Sequence, residues 1–488
     1  MKKTIIGLVV VAAIAGGGYY AYQQTGDIAE KQISAFITDH KNKPIELTAL
    51  QSQPAARLMG VEKTELTITE FDNEKVKSLL AVHFSNPEKK SQTVTLNSQI
   101  IRGKADYNGT SYGYGKIVTH PDLSQFGELP EGVTKDTLTS TLYIGMDGSV
   151  LAVNRIDPVK NKVFDFQGLT AETKSSLINP DSYDSNIKMQ PLSISNGEGG
   201  MLKVSPINLS VKIDKDNNYV SESQPFSVNV EDGEQPVSLN FGAGHHSGLW
   251  YKYVEGLTIP VNNYKGVYDT ATLNIGGVPI KLTNLSLEGG FYEDGNQSTQ
   301  LKARIATDID GKLLKDSGML DMLKVKVTPE HFDFQYQINK LPYDVVNMYY
   351  TNIAKIDKDA ANLEEVFSQE DIKKALASVQ QSDTSFASNL AFKSTEGSAD
   401  ANINMGFSPK GKSLSVDELM QLANTSSGPQ DIVNAKAHAV VDEALANVTG
   451  LSMMLQMMLN ISPKDGKYTI DALIEDGQVT VNGTPLPL

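Results

Sequence analysis

The chain contains 488 residues with a formal net charge of -15, seven histidines and no cysteine. The lack of cysteine excludes a disulfide framework, a thiolate nucleophile and a zinc site with cysteine ligands. The acidic balance, without any extended basic cluster, argues against nucleic acid as a partner.

The first predicted element is an export segment at residues 1–26. An uninterrupted apolar run from Ile5 to Tyr22 follows Lys2 and Lys3. The run is about as long as a helix that crosses the hydrocarbon core of a bilayer, and the lysines favour a cytoplasmic N-terminus. We therefore expect a single-pass membrane anchor that contacts the bilayer through residues 5–22, with the N-terminus in the cytoplasm and the body exported.

A cleaved signal segment is the alternative interpretation of the same residues. The sequence Ala13-Ile14-Ala15 matches the small-residue pattern of a signal cleavage site. The tyrosines at 19, 20 and 22 suit a membrane interface better than the end of a removed leader, so we favour the anchor. Both interpretations export the remainder of the chain.

Residues 27–44 predict an amphipathic helical stalk, because Ile28, Ile33 and Phe36 recur at helical spacing among polar residues. Beyond it the pattern changes to a β-rich exported body over residues 45–341. There, short alternating runs are separated by Gly, Asn, Asp and Pro, which is typical of successive strands and hairpins.

Residues 342–488 predict a mixed helical and β C-terminal region. Residues 343–381 have helical spacing, and Ser368 with Asp371 matches a capping box. A second helical block is predicted over residues 427–459.

Strand alternation returns between the two helical blocks, at residues 386–407, and again at the end of the chain. The last alternating runs flank Asp476-Gly477, which predicts a terminal hairpin. The predicted fold class is therefore α+β and mainly antiparallel, with an elongated body, a C-terminal helical block and a terminal hairpin after one N-terminal transmembrane helix.

The most unusual polar constellation is His245-His246 close to Trp250, the only tryptophan, in a glycine-containing segment. These residues are a speculative ligand-binding site. A turn between strands with a packed tryptophan is the plainer interpretation, and we favour it.

A methionine cluster is the second speculative ligand-binding site, since methionine adapts to varied apolar ligands. An ordinary buried helix is the interpretation that we favour, because such residues mostly belong to cores. The cluster consists of Met453, Met454, Met457 and Met458.

The sequence carries no recognisable motif for catalysis, metal binding or a cofactor. The histidines lack metal-ligand spacing, and neither a nucleophile elbow nor a phosphate-binding loop occurs. We predict no catalytic residues, no metal, no cofactor and no enzymatic activity.

The two ends of the chain carry a family resemblance. They are the run Gly16-Gly17-Gly18-Tyr19-Tyr20 and the terminal hairpin around Asp476-Gly477. With the long β-rich middle, the chain resembles the YdgA-like family of bacterial inner-membrane-anchored periplasmic proteins, which has no assigned biochemical activity. The resemblance implies anchoring with a periplasmic body and supplies no catalytic residues.

Three functional hypotheses follow. The first is binding of an apolar envelope ligand such as a lipid. The second is an envelope scaffold that self-associates or positions another envelope protein. The third, which we favour least, is a cell-envelope hydrolase, and it requires carboxylates or histidines to meet in one cleft.

Overall fold

The fold is taken from a computed structural model that describes most of the chain after residue 40. The expected anchor and most of the expected stalk therefore lie outside the described residues. The described ranges are 41–46, 61–72, 74–84, 91–113, 115–123, 131–145, 147–176, 182–197, 199–231, 236–252, 254–275, 277–295, 297–322, 324–353, 367–423, 429–475 and 477–486.

The chain divides into two compact units between Pro236 and Val237, with Ile353 grouped with the first. The predicted β-rich range 45–341 therefore spans both units. Antiparallel sheet dominates each of them, which confirms this part of the predicted fold class.

Every element described in the first unit is a strand. These strands are β1 (Pro44–Glu46), β2 (Val61–Asp72), β3 (Lys75–Phe84), β4 (Gln92–Arg102), β5 (Ala105–Tyr107), β6 (Thr110–Tyr112), β7 (Gly115–Pro121), β8 (Leu138–Ile144), β9 (Ser149–Ile156), β10 (Val159–Lys160), β11 (Phe164–Phe166), β12 (Leu169–Ser176), β13 (Tyr183–Met189), β14 (Leu192–Ser195), β15 (Met201–Val204), β16 (Ile207–Ile213), β17 (Asn218–Ser223) and β18 (Phe226–Glu231).

The end of the expected stalk is not helical. Within residues 41–44, Lys41 forms an isolated bridge to Ile68, and Pro44 begins β1. The physical reason is pairing, since Ile45 aligns with Leu66 of β2 and is buried. In the part of the chain that the structure describes, no helix is long and apolar enough to span a membrane.

A row of two-residue breaks crosses the sheet of the first unit. On one side of the first break Ile156 pairs with Leu169, and on the other side Val159 pairs with Phe166, so the register does not slip. Proline has no N–H to donate to the ladder, and glycine tolerates unusual backbone angles, so both suit such a break. The breaks are Asp157-Pro158, Gln167-Gly168, Gln190-Pro191, Ser205-Pro206 and Gln224-Pro225.

The second unit combines longer strands with short helices. Its strands are β19 (Val237–Phe241), β20 (Gly244–Lys252), β21 (Val261–Ile275), β22 (Val278–Glu293), β23 (Ser298–Ile309), β24 (Pro329–Pro342), β25 (Ser385–Ser394), β26 (Gly397–Phe407), β27 (Val433–Asp442), β28 (Lys467–Glu475), β29 (Gln478–Val481) and β30 (Thr484–Pro485). Its helices are α1 (Gly311–Asp316), α2 (Met319–Met322), α3 (Tyr343–Ile353), α4 (Gln369–Gln381), α5 (Pro409–Ser413), α6 (Val416–Ala423), α7 (Pro429–Ile432), α8 (Glu443–Thr449) and α9 (Leu451–Leu459).

Strands β20 to β30 pair in chain order, each antiparallel to the next. The helices connect strand ends, with α1 and α2 after β23, α3 and α4 after β24, α5 to α7 after β26, and α8 and α9 after β27. The terminal hairpin formed by β28 and β29 confirms the sequence prediction.

Helices α3 and α4 confirm the two ends of the first predicted helical block, whose residues 354–366 lie outside the described residues, and the predicted capping box is present. The Ser368 hydroxyl accepts from the Asp371 N–H at 3.1 Å, and the Asp371 carboxylate accepts from the Ser368 N–H at 3.3 Å. These contacts satisfy N–H groups that the first turn of a helix leaves without partners.

The second predicted helical block is wrong in its middle, because β27 occupies residues that were expected to be helical. Alanine is the strongest helix former, so Ala435, Ala437 and Ala439 favour a helix in isolation. In the folded chain they alternate with Lys436 and His438 and pair with β26 and β28 on both sides. Tertiary pairing therefore overrides the local preference.

Candidate functional site

The sheet of the second unit has one polar face. Residues paired directly across antiparallel strands project from the same side of the sheet, so a chain of such pairs defines a row. One row crosses eight strands and contains only polar side chains. It consists of Lys265, Glu288, Arg304, Gln335, Asn389, Asn402, His438 and Asp471.

The adjacent residues in the same strands form two nearly apolar rows on the other side. The first row is Gly266, Leu287, Ile305, Phe334, Leu390, Ala401, Ala439 and Ile470. The second row is Tyr264, Gly289, Ala303, Tyr336, Ser388, Ile403, Ala437 and Ala472. We call these two rows the apolar face.

The apolar face is not buried in the manner of an ordinary core. Ile403 is 45% exposed, Tyr264 is 40% exposed and Ile305 is 39% exposed. Phe334 and Leu390, which lie between them, are only half-buried. Contiguous exposed apolar surface is uncommon on soluble proteins and marks binding sites when it occurs.

Helices pack near both ends of the strands, and most of the two rows lies between them. At one end the ring of Tyr350 in α3 meets the ring of Phe291 at 5.9 Å between centroids. At the other end Leu455 of α9 packs in one buried cluster with Val441 and Tyr468. The half-exposed band thus runs across the strands, and eight strands give it a length of roughly 34 Å.

Oppositely charged side chains on the polar face form ion pairs with one another. The guanidinium of Arg304 donates to Asp333 through Nε at 2.9 Å and through Nη2 at 2.6 Å. This hydrogen-bonded contact lowers the pKa of the Asp333 carboxyl below its ordinary value. Lys302 Nζ lies 2.6 Å from Glu288 Oε1, so this second pair also stays on the polar side.

The paired histidines do not form one site. They lie inside β20 rather than in the turn that we favoured from sequence. His246 aligns with Gly266 and shares its side with the apolar face, whereas His245 aligns with Val267 and projects to the other side. Trp250 is half-buried farther along β20, where the register shifts after Leu249.

His246 stands at the β20 edge of the apolar face among aromatic rings. Its imidazole meets the ring of Tyr268 edge-on at 5.1 Å. Burial, and secondarily the charge of His245, lower the pKa of His246 below its ordinary value. A Cβ at Gly266 would lie 2.7 Å from His246 Nδ1, so the glycine makes room for this ring.

The methionine cluster is exposed, and the favoured interpretation of an ordinary buried helix is wrong. Met453, Met454, Met457 and Met458 are between 47% and 79% exposed, whereas Leu455 of the same helix is 1% exposed. Only the leucine side of α9 faces the core. Seven strands separate β20 from β28, which α9 covers, so the structure does not bring the histidines and the methionines together.

The sheet of the first unit has the same two-sided pattern. Phe166, Leu192, Val204 and Val228 align across β11, β14, β15 and β18. The residues next to them in the same strands form a polar row, which consists of Asp165, Ser193, Lys203 and Asn229. Amphipathic sheet is therefore a property of both units.

On the polar face of the second unit, two histidines each lie within hydrogen-bonding distance of a carboxylate. His438 Nδ1 lies 2.6 Å from Asp471 Oδ1, and His331 Nδ1 lies 2.7 Å from Asp308 Oδ1. Within the described ranges, no group of three or more acidic or histidine side chains is arranged to hold a metal ion. The predicted lack of catalytic residues stays a prediction.

Sequence reasoning missed the apolar face. The alternation of residues 386–407 indicated amphipathic strands, but the rows depend on which residues pair, and pairing registers are set by tertiary structure. The missed residues include Tyr264, Ile305 and Ile403.

Comparison with known proteins gives one match. A model of a bacterial protein family of unknown function, DUF945, matches residues 1–488. The chain belongs to the DUF945 family. No curated protein and no solved structure matches this DUF945 member. The finer resemblance to YdgA-like proteins stays a prediction.

Proposed function

We propose that the protein binds the acyl chains of an envelope lipid on its apolar face and catalyses no reaction. In this proposal, residues 5–22 anchor the chain in the inner membrane and the body lies in the periplasm. The acyl-binding proposal rests on one observation: Ile403 and Ile305 are exposed to solvent in the middle of a sheet face.

The exposed side chains favour an apolar ligand energetically. Fully burying an isoleucine or leucine side chain contributes roughly 1.5–3 kcal/mol. Ile305, Ile403 and Tyr264 retain a large part of that surface in contact with water. A ligand that covers all three gains binding free energy without new polar contacts.

The backbone of the face distinguishes an acyl chain from an extended peptide. The N–H and C=O groups of strands β21 to β28 are committed to ladder pairing with their neighbours. A peptide strand laid across the side chains would leave its own backbone groups without partners, at a cost of about 1–3 kcal/mol for each buried group. An acyl chain carries no such groups along its length.

Two neighbouring residues provide the test. Ile403 lies on the apolar face, and Asn402 lies on the polar face of the same strand. Ile403→Asp places a carboxylate in the path of the acyl chain, and Asn402→Asp places the same group on the opposite side. Both positions are exposed, so either carboxylate stays hydrated.

Native mass spectrometry of the full chain, extracted in mild detergent, measures copurified lipid. We expect lipid on the unmodified protein and on Asn402→Asp, and at least a tenfold lower occupancy on Ile403→Asp. Equal occupancy in the two variants would contradict acyl binding at this face. A lipid-free protein that crosslinks reproducibly to itself or to another envelope protein would support the scaffold hypothesis instead.

A further inference from the structure

Helix α9 holds apolar side chains toward solvent although it is firmly fixed to the body. Leu455 is buried in a cluster with Ala446, Ile461 and Tyr468, and Leu451 packs against the same cluster. The methionines are therefore exposed while the helix is packed in its native position. We call the side of α9 formed by Met453, Met454, Met457 and Met458 the methionine face.

The Gln456 side chain and the Leu455 carbonyl of α9 are bonded within the protein. Gln456 Nε2 donates to the Tyr468 hydroxyl at 2.7 Å, and the Ile461 N–H donates to the Leu455 carbonyl at 3.0 Å. No residue of Leu451–Leu459 carries a charge. The methionine face thus presents neither charge nor the Tyr, Trp and Arg anchors that dominate specific protein interfaces.

The helix also adjoins the apolar face. Leu451 and Leu459 of α9 pack against the same buried cluster as Ile470 and Ala472, and these last two residues end the apolar rows at β28. The methionine face and the apolar face therefore border one buried cluster.

In the proposed function, the N-terminal anchor tethers the body to a bilayer. The apolar segment ends at Tyr22 and β1 begins at Pro44, so the connecting residues reach at most roughly 75 Å. A body tethered within that distance meets the membrane at a high effective concentration, so a weak contact is sufficient.

We propose that the methionine face contacts the acyl region of the bilayer and places the β28 end of the apolar face at the membrane. The inference rests on the proposed function and names the surface through which acyl chains pass. Flexible, uncharged methionine side chains fit disordered acyl chains, which offer no hydrogen-bonding groups.

A tryptophan reporter tests the contact in the full chain. In a Trp250→Phe background, Met457→Trp puts the single tryptophan on the methionine face, and Ile372→Trp puts it at an exposed position of α4 as the control. Each protein is reconstituted into phosphatidylcholine vesicles whose acyl chains carry bromine. We expect at least a twofold loss of emission at position 457 and none at position 372. Equal emission at position 457 with and without bromine would overturn the inference.

Two further measurements test the inference against its alternatives, such as contact with a second copy of the chain. Since the chain has no cysteine, Met457→Cys supplies a single thiol, and a disulfide-linked dimer through it would overturn the inference in favour of a second copy. Native mass spectrometry of Met453→Gln/Met457→Gln should show at least a twofold lower lipid occupancy than the unmodified protein, and unchanged occupancy would overturn the inference that acyl chains pass this surface.

Lipid occupancy and quenching together distinguish a failure of the proposed function from a failure of this inference. Lipid occupancy without quenching at position 457 retains acyl binding and overturns the membrane contact. Quenching at position 457 on a protein that copurifies no lipid supports the membrane contact and contradicts acyl binding on the apolar face.

Discussion

Asn402 and Ile403 are consecutive residues of β26 that belong to opposite surfaces of one sheet. Asn402 aligns with His438 in the polar row, and Ile403 aligns with Ala437 in the apolar row. The same one-residue step separates the polar row from the apolar rows across eight strands. In our proposal, one side of the sheet binds an apolar ligand and the other side stays hydrated.

Two residues of α9 should differ in their effect on stability. Leu455→Ala removes a fully buried side chain and should lower the free energy of unfolding by about 2–5 kcal/mol. Met457→Ala removes an exposed side chain and should change it by less than about 0.5 kcal/mol. Urea unfolding of both variants measures the difference, and a similar loss in both would contradict the burial of one side of α9.

The methionines of the methionine face should be oxidised faster than a buried methionine. Hydrogen peroxide converts accessible methionines to sulfoxides. Met457 and Met458 should react at least tenfold faster than Met319, which is buried between α1 and β22. Peptide mass spectrometry over a time course gives the rates, and comparable rates at Met319 and Met457 would refute the exposed arrangement.

The Arg304–Asp333 pair should contribute stability only above acid pH. The folded-state pKa of Asp333 is lowered from 3.8, so its contribution is complete above that value and is lost as the pH falls through the folded-state pKa. Asp333→Asn should therefore lower the free energy of unfolding by about 1–2 kcal/mol at pH 7. The difference from the unmodified protein should shrink below pH 3.8.

Denaturant unfolding of both proteins at pH 7 and at acid pH checks this linkage. Lys302→Met, which breaks the neighbouring pair with Glu288 but leaves Asp333 in place, is the control. A deficit of Asp333→Asn that is constant across the whole range would show that Asp333 is not stabilised as a carboxylate.

The glycine beneath His246 should be sensitive to a single methyl group. Gly266→Ala places a Cβ 2.7 Å from the imidazole and should lower the free energy of unfolding by about 1–3 kcal/mol. Adding His246→Ala should recover most of that loss, because it removes the atom that clashes. A double-mutant cycle gives the coupling, and additive effects would place His246 away from Gly266.

Local patterns predicted much of the fold, and long-range pairing determined the rest. The Ser368 and Asp371 capping box and the hairpin at Gly477 are local devices, so the sequence was enough to place them. The alanines of β27 were misassigned, because their helix preference is local whereas their partners in β26 and β28 are not.

The candidate site was less predictable for the same reason. Single strands showed alternation, but the alignment of Ile305 with Phe334 and Leu390 requires two registers that no short window contains. The methionines were recognised as unusual, yet the side of α9 that faces the core depends on the packing of Leu455 against Tyr468.

The most direct test of the central claim locates the acyl chain on the sheet. In a Trp250→Phe background, Tyr264→Trp reports from the apolar face and Tyr292→Trp reports from the other side of the same sheet. Each variant of the full chain is titrated with a fatty acid that carries bromine on its acyl chain. Acyl binding on the apolar face predicts saturable quenching at position 264 and unchanged emission at position 292. Equal quenching at both positions, or none at position 264, would contradict it.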